Sequence, residues 1–308
     1  MPLSLEVDIG KLRLRYPTML ASGVLAVNSQ LMGSLARTEG LGAIVTKSAT
    51  LEARRGYENP VIAGGPCYVV NALGLPNPGY KVMSEELRLI GPALRESGVR
   101  LVASLAPSSP REAEVMAIAF EEAGAEALEL NLSCPHASGL GLEVGSDPEL
   151  VGELVEAVAS TTSLPVLAKL GFSDRAIESA KRAEEAGATA VVAINTIRGV
   201  IIDLHARRPV LSNVYGGVSG PAIRAIAVGM VYRLYEELSI PVIGCGGVDS
   251  WESAAEMILA GASAVQVGTA LMYKGLRVFR EIVEGLERYL IEVGAETLKE
   301  LVGAAHPK

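Results

Sequence analysis

The sequence has very few cysteines, which limits the chemistry that it can carry out alone. Only three of its 308 residues are cysteine, namely Cys67, Cys134 and Cys245, and no two of them form a Cys-x-x-Cys pair. Their wide separation excludes a disulfide framework, a zinc ribbon and an iron–sulfur cluster held by this chain alone. We therefore predict no metal site.

Basic clusters and long apolar runs are also missing. The chain has 27 Lys and Arg against 35 Asp and Glu, a net charge of −8, and no Lys/Arg-rich block, which argues against nucleic acid as a partner. Apolar runs are broken well before the roughly 18 residues that a membrane span needs. The first residues carry an acidic side chain and no apolar signal-peptide core. With 49% apolar and 20% charged residues, the sequence predicts a globular cytoplasmic protein of enzyme size and no membrane contact.

What the chain does have is eight short apolar runs separated by amphipathic stretches. Runs that are apolar on both faces are typical of parallel strands covered on both sides. The predicted strands are 18–21, 42–46, 101–105, 127–130, 166–170, 190–194, 242–244 and 264–267. The clearest predicted helices are 110–123, 147–160, 174–186, 221–238 and 250–260. Several helices end in Ala-Gly-Ala, where glycine supplies a left-handed C-terminal cap, and eight such units close a (β/α)8 barrel.

The remaining segments complete the predicted fold. Residues 1–16 alternate like a β-hairpin that could plug the bottom of the barrel. Segments 51–77 and 196–220 are too long for plain turns, and long connections in barrels build the top face. We predict an α/β fold, a single (β/α)8 TIM barrel domain over 1–308 with elaborated top-face loops. A doubly wound sheet is the alternative, disfavoured because no Gly-x-Gly-x-x-Gly follows the first strand.

Polar residues recur where the predicted strands end, which is the face where barrels place catalytic groups. An uncompensated charge or amide is costly at the end of an apolar strand, so a whole ring of them points to a site. Cys134 is the most informative, because a thiol just after Asn131 can act as an acid or base. A buried structural cysteine is the alternative. The ring comprises Ser22, Lys47, Ser48, Ser104, Asn131, Cys134, Lys169, Asn195 and Thr196.

Glycines mark the ends of the last two strands. Gly246 and Gly247 follow strand seven, and Gly268 and Thr269 follow strand eight. Barrels commonly bind a phosphate there through backbone N–H groups. Two lysines, several amides and this cradle predict a phosphorylated ligand over the barrel mouth. Pyridoxal phosphate, flavin mononucleotide (FMN) and a sugar phosphate all fit these residues.

Across nearly the whole chain, segments in register resemble the dihydroorotate dehydrogenases, flavin enzymes of pyrimidine synthesis. Arg208-Pro-Val-Leu-Ser-Asn213 most resembles the branch that uses NAD through a separate subunit. A cysteine rather than a serine at the position of the base resembles the soluble enzymes of the family rather than the membrane-associated ones. The other matching segments are Ala21-Ser-Gly23, Thr46-Lys-Ser48, Asn71-Ala-Leu-Gly-Leu-Pro-Asn-Pro-Gly79, Asn131-Leu-Ser-Cys-Pro135, Ile194-Asn-Thr196, Gly216-Gly-Val-Ser-Gly-Pro221, 244–248 and 260–270.

The resemblance implies a site for FMN and a site for dihydroorotate. The implied FMN contacts are Ser22, Lys47, Ser48, Ser104, Asn131, Lys169, Ile194, Gly220, Gly246, Gly247, Gly268 and Thr269. The implied substrate contacts are Lys47, Asn71, Ala72, Leu73, Gly74, Leu75, Asn131, Asn195 and Thr196. In the implied mechanism Cys134 takes the C5 proton of dihydroorotate while the C6 hydride moves to the flavin.

The resemblance also implies partners. If NAD is the acceptor, a second subunit must carry FAD and a 2Fe–2S cluster, because this chain has no cysteine cluster. A homodimer core within a heterotetramer is expected. A fumarate-linked enzyme without that subunit is the alternative.

Three positions depart from the usual family pattern. Ser104 stands where the family usually has Asn, so we expect a weaker or water-bridged flavin contact, and Leu170-Gly-Phe-Ser-Asp174 replaces a Pro-Asn form. His136 also replaces the usual Asn, and Cys-Pro-His resembles the dihydropyrimidine dehydrogenases, which reduce uracil and thymine. That activity is a further alternative. An aldolase or isomerase would leave the 71–79 segment unexplained, and a non-enzymatic flavin-binding subunit would make Cys134 dispensable.

Overall fold

The computed structural model describes residues 3–132 and 142–307 as an eight-stranded barrel with two additions, one at each end. The strands are β1 (Val7–Ile9), β2 (Leu12–Leu14), β3 (Thr18–Leu20), β4 (Ala43–Val45), β5 (Ile62–Gly65), β6 (Tyr68–Asn71), β7 (Arg100–Leu105), β8 (Ala127–Asn131), β9 (Val166–Leu170), β10 (Ala190–Ala193), β11 (Ile197–Gly199), β12 (Ile202–Asp203), β13 (Arg208–Pro209), β14 (Gly216–Ser219), β15 (Val242–Cys245) and β16 (Ala262–Val267). The helices are α1 (Ser29–Leu35), α2 (Tyr80–Ser97), α3 (Pro110–Glu122), α4 (Leu142–Gly145), α5 (Pro148–Thr161), α6 (Ala176–Glu185), α7 (Arg224–Glu237), α8 (Trp251–Leu259), α9 (Leu271–Lys274) and α10 (Arg277–Val293).

Eight parallel strands close the barrel in the order β10-β15-β16-β3-β4-β7-β8-β9. Strand β16 pairs with β3 through Val265 and Thr18, which joins the last barrel strand to the first. Every residue of β9 and β10 is buried, as expected for strands with helices outside and side chains filling the bore. All eight predicted strands and the (β/α)8 fold are therefore confirmed.

The five predicted helices are also present, with ends shifted by at most a few residues. The one exception in form is 221–238, which opens with a 3₁₀ turn, Pro221–Ile223, before α7 begins. The Ala-Gly-Ala glycines have the positive φ that a left-handed cap requires, for example 98° at Gly187 and 119° at Gly261. Within the two described ranges, no helix combines the length and apolarity needed to cross a bilayer.

The N-terminal hairpin lies at the end of the barrel where the strands begin. Strands β1 and β2 pair in antiparallel register, with Ile9 opposite Leu12, and both of these side chains are buried. Arg100, the first residue of β7, donates from Nε to the carbonyl of Arg13 at 3.0 Å. This contact anchors the hairpin at the lower end, as predicted.

The two long connections meet above the other end. Strands β5 and β6 come from the first connection and β11 and β14 from the second, and they form one antiparallel sheet in the order β11-β14-β6-β5. Val70 lies opposite Val218 and Asn71 opposite Gly217. We call this four-stranded unit the cap sheet. The sequence predicted that both connections build the top face, but it did not predict their strands.

Candidate active site

A cavity of about 410 Å³ lies between the carboxyl ends of the barrel strands and the cap sheet. Most of the residues that the sequence predicted for a site line this single space. They are Ser22, Lys47, Ser48, Asn71, Leu73, Gly74, Leu75, Asn131, Lys169, Ile194, Asn195, Thr196, Gly220, Gly246, Gly247, Gly268 and Thr269. Ala72 and Ser104 do not line it, and Cys134 and His136 lie outside the described residues.

A hydroxyl network organises the side of the cavity formed by β3, β4 and β7. Ser48 is its centre, since its Oγ lies 3.1 Å from Oγ of Ser22 and 2.8 Å from Oγ of Ser104. Ser22 also donates to the carbonyl of Thr46 at 2.7 Å. Because Ser22 follows β3, Ser48 follows β4 and Ser104 lies in β7, the network ties neighbouring strand ends together. Ser104 is fully buried and does not line the cavity, but its hydroxyl contacts Ser48, which does.

Amide side chains continue the network along β8 and β10. Asn131 donates from Nδ2 to Oγ of Ser48 at 3.0 Å, and Asn195 donates from Nδ2 to Oδ1 of Asn131 at 3.3 Å. The Oδ1 of Asn195 accepts from the backbone N–H of Thr196 at 2.8 Å. Each amide is thus oriented by its neighbour. Such fixed donors and acceptors suit a flat, amide-bearing ligand.

The 71–75 loop forms the outer wall of the cavity. Its backbone is held from outside, because Ala72 donates to the carbonyl of Val61 at 2.7 Å and Leu73 accepts from the N–H of Tyr57 at 2.9 Å. Gly74 has a φ of 74°, and a Cβ there would lie 2.8 Å from the nitrogen of Tyr57. Glycine is therefore required at this close approach. Ala72 is fully buried and serves the wall rather than its inner surface.

Beneath the amides, three polar side chains cross the interior of the barrel. Lys169 donates from Nζ to Oε1 of Gln266 at 2.7 Å, and Gln266 donates from Nε2 to Oε2 of Glu129 at 2.5 Å. Oε1 of Glu129 lies 3.6 Å from Nζ of Lys169. We call Lys169, Gln266 and Glu129 the polar bridge. Lys169 and Gln266 line the cavity, whereas Glu129 lies below its floor.

The charges of this bridge perturb the titration of its neighbours. Burial is the largest single influence and lowers the pKa of Lys169, but the charge and contact of Glu129 together with the influence of Cys245 outweigh it, so the pKa is raised above its ordinary value. The Lys169 side chain therefore stays protonated inside the barrel. Burial raises the pKa of the Cys245 thiol, against the opposing effect of the Lys169 charge. Cys245 is thus held as a neutral thiol at the cavity edge.

Glu129 and Gln266 were not predicted as site residues from the sequence. A signal was present for Glu129, since it lies two residues before Asn131 on the same strand and so faces the same side. Gln266 similarly interrupts the apolar strand β16. What the sequence could not supply was the meeting of these side chains, because it depends on how the barrel closes.

Backbone rather than side chains forms the opposite side of the cavity. Gly220, Gly246 and Gly247 have φ values of 92°, 116° and 78°. A Cβ on Gly247 would lie 2.7 Å from Cβ of Arg224, so the chain passes too close for any larger residue. Thr269 donates to Oγ of Ser219 at 2.8 Å, which fixes its hydroxyl beside these glycines. Glycine backbone at such close approaches is suited to a phosphate.

Comparison with known proteins gives one consistent result. A family model described as dihydroorotate dehydrogenase matches residues 4–290. The chain is 45% identical to the dihydroorotate dehydrogenase B (NAD(+)) catalytic subunit of Pyrococcus furiosus, over 98% of this chain and 99% of the relative. It is 46% identical to the Pyrococcus abyssi protein of the same name, over 98% and 99%. It is also 46% identical to a protein of Aeropyrum pernix named putative dihydroorotate dehydrogenase A (fumarate), over 98% and 97%.

Proposed function

The chain belongs to the dihydroorotate dehydrogenase family, and from this premise we propose that it oxidises (S)-dihydroorotate to orotate in pyrimidine biosynthesis, with FMN as cofactor. The observation that carries the proposal is the construction of the cavity. An amide and hydroxyl network, a buried protonated lysine and a glycine cradle face one space of suitable size. We expect this chemistry to take place in the cytoplasm.

The residues present fit FMN. A phosphate needs backbone that can approach it closely, which glycine allows at Gly246, Gly247 and Gly268 in the cavity lining. The Thr269 hydroxyl, held by Ser219, lies on the same side of the cavity. Lys169 supplies a positive charge at the cavity floor, where it would contact the flavin ring. FMN would supply a two-electron acceptor, while the protein supplies position and electrostatics. The other proposed contacts are Ser22, Lys47, Ser48, Asn131, Ile194 and Gly220. Ser104 acts through Ser48, which places it one side chain away from the cavity.

Dihydroorotate would bind between the amides and the 71–75 loop. Its ring carries alternating carbonyl and N–H groups, which Asn71, Asn131, Asn195 and Thr196 match as donors and acceptors. Its carboxylate calls for a cation, and Lys47 lines the same cavity. Nζ of Lys47 lies 3.7 Å from where a Cβ on Gly23 would stand, which places the ammonium group beside the segment that follows β3.

Cys134 is the proposed base. It follows Asn131 by three residues in the sequence, and Asn131 is the last residue of β8 and lines the cavity. Removing the C5 proton of dihydroorotate needs a thiolate, and cationic side chains favour the thiolate form by lowering the pKa of a thiol. Asn131 would orient the substrate for this step. A cysteine base at this position also matches the resemblance described for the sequence.

The electron acceptor is proposed to be NAD, reached through a partner subunit. The three separated cysteines of this chain do not make an iron–sulfur site, so FAD and a 2Fe–2S cluster would have to be on that partner. Two of the relatives carry NAD(+) in their names, which supports this acceptor. We infer a homodimer core within a heterotetramer. The Aeropyrum pernix relative supports fumarate as a second candidate acceptor.

An anaerobic titration tests the reaction. FMN-loaded protein is mixed with dihydroorotate while the visible flavin band is followed. Bleaching is expected with dihydroorotate and not with dihydrouracil, whereas the reverse pattern would move the protein to dihydropyrimidine chemistry. Cys134→Ala should keep the flavin and lose bleaching by a factor of about 10² to 10⁴, the usual contribution of a general base. Bleaching by Cys134→Ala at the unchanged rate would remove Cys134 from the mechanism.

A second measurement separates the acceptors. Reduced protein is mixed with NAD or with fumarate, each with and without the co-expressed electron-transfer subunit. The proposal expects reoxidation by NAD only when the subunit is present. Reoxidation by fumarate with the chain alone would instead assign the fumarate-linked reaction.

A further inference from the structure

The polar bridge joins strands on opposite sides of the barrel. Going around the closed order, β8 and β16 are four strands apart in either direction, so the 2.5 Å contact between Glu129 and Gln266 spans the whole bore. Barrel interiors are normally filled by layers of branched apolar side chains. Here one layer holds an acid, an amide and an amine, and all three are buried, with Glu129 0%, Gln266 1% and Lys169 4% exposed.

Stability does not explain this layer. Taking two charges out of water costs several kcal/mol per ion, and replacing a buried ion pair by well-packed apolar residues is often neutral or stabilising. The bridge even leaves Oε1 of Glu129 without a hydrogen bond among the described residues. A buried carboxylate oxygen that has an ion-pair contact but no hydrogen bond calls for a reason other than packing.

The amide of Gln266 is oriented to match the charges on both sides of it. Its Oε1 accepts from Lys169 while its Nε2 donates to Glu129. Flipping the amide would place an N–H₂ group against the ammonium and an oxygen against the carboxylate. The amide dipole is therefore aligned between the two charges and strengthens both contacts. Among the described residues, Lys169 is joined to Glu129 both directly, by the ion pair, and through Gln266.

We infer that Glu129 is a positioning residue that keeps Lys169 charged and aimed at the flavin, acting from below the cavity floor through Gln266. The inference rests on the proposed function, since it assigns FMN to the cavity. Without Glu129, burial would dominate and the amine of Lys169 would lose its proton within the working pH range. The cavity floor would then lose the positive charge that favours the cofactor.

The test is the pH dependence of FMN binding, measured by flavin fluorescence between about pH 7.5 and 9.5, where a phosphate with a second pKa near 6 keeps its charge. The dissociation constant of the wild type should stay flat across this range. In Glu129→Gln it should rise by about tenfold per pH unit once Lys169 has titrated. Lys169→Met should bind weakly at every pH, and Glu129→Gln/Lys169→Met should match it.

Controls assign the titration to Lys169. Among the described residues, the titratable groups that act on Lys169 are Glu129 on β8 and Cys245 on β15, so the profiles are repeated with Cys245→Ser and should keep their shape. Glu126→Gln makes the same chemical change just before β8. Glu126 does not line the cavity and forms an ion pair with Arg100, with 2.7 Å between Oε1 and Nη1. This variant should leave the profile flat. If Glu129→Gln does not fold, Glu129→Asp, which withdraws the carboxylate, should give an intermediate profile.

The outcomes separate the two proposals. A flat profile in Glu129→Gln, or a loss of affinity that is the same with and without Lys169, would make Glu129 a structural residue and overturn the inference. In that case the wild type would still bind FMN and bleach with dihydroorotate, so the proposed function would stand. A wild type that does not bind FMN would overturn both.

Discussion

The two ends of the barrel are built from opposite kinds of residue. At the lower end the hairpin closes the bore with apolar side chains, and Ile9 and Leu14 are fully buried. At the upper end the same strands finish in hydroxyls, amides, glycines and a lysine around a cavity. The apolar lower end serves folding alone, whereas the polar upper end serves both the fold and the ligand. Substitutions at the lower end should therefore change stability without changing ligand binding, and substitutions at the upper end should change ligand binding as well.

The largest effect on stability is expected at the lower end. Leu14→Ala removes a fully buried side chain from the hairpin and should lower the free energy of unfolding by about 2–5 kcal/mol. The FMN dissociation constant should change less than about twofold, since no cavity contact is lost. Denaturant titration and flavin fluorescence measure the two quantities. Arg13→Ala, on the exposed face of the same strand, is the control and should change neither.

Gly247→Ala should affect both properties. Its φ of 78° is strained for any side chain, and the new Cβ would lie 2.7 Å from Cβ of Arg224. The expected loss of stability is about 1–3 kcal/mol, with FMN binding weakened about tenfold or more because the cradle must shift. Gly229→Ala is the control, because its Cβ would meet nothing within 4 Å in helix α7. It should stabilise the chain by about 0.5–1 kcal/mol. Unchanged FMN binding in Gly247→Ala would argue against the cradle.

Ser48→Ala breaks the centre of the upper network. Asn131 and Ser104 each lose a partner, at 3.0 and 2.8 Å, which should cost about 1–3 kcal/mol in stability or in FMN binding. Calorimetry on the protein with and without FMN apportions the loss. Ser34→Ala is the control, because the exposed hydroxyl of Ser34 donates to the carbonyl of Leu31 in its own helix, and it should be close to neutral. Equal effects of the two variants would mean that the network contributes nothing specific.

The smallest effect is expected at Thr269. Thr269→Val keeps the shape but loses the 2.8 Å contact with Ser219, so FMN binding should weaken by a few fold, near 1 kcal/mol. Thr269→Ser keeps the hydroxyl and should bind FMN nearly as the wild type does. Weakening by the serine variant instead would assign the role to the methyl group.

Much of this architecture could be predicted from the sequence because it depends on local patterns. Strands such as β9 and β10 are apolar throughout, and the glycine caps follow their helices directly. Site residues such as Lys47 and Asn195 were predicted because strand ends in a barrel share one face. The cap sheet was not predicted, because β6 and β14 are short and pair across about 150 residues. The polar bridge was missed for the same reason, since Glu129 and Gln266 lie 137 positions apart.

The cap sheet also has a consequence for the order in which the molecule assembles. Pairing β6 with β14 closes a loop of nearly half the chain, which costs conformational entropy. That cost is small only after the barrel has formed and has brought the two connections close together. The wall over the cavity is therefore a late and separately opening unit, held by three register pairs between its halves. Deuterium should enter the amides of 69–71 and 217–219 before those of the barrel strands. A molecule bound beneath this sheet would slow that exchange while leaving the barrel amides unchanged.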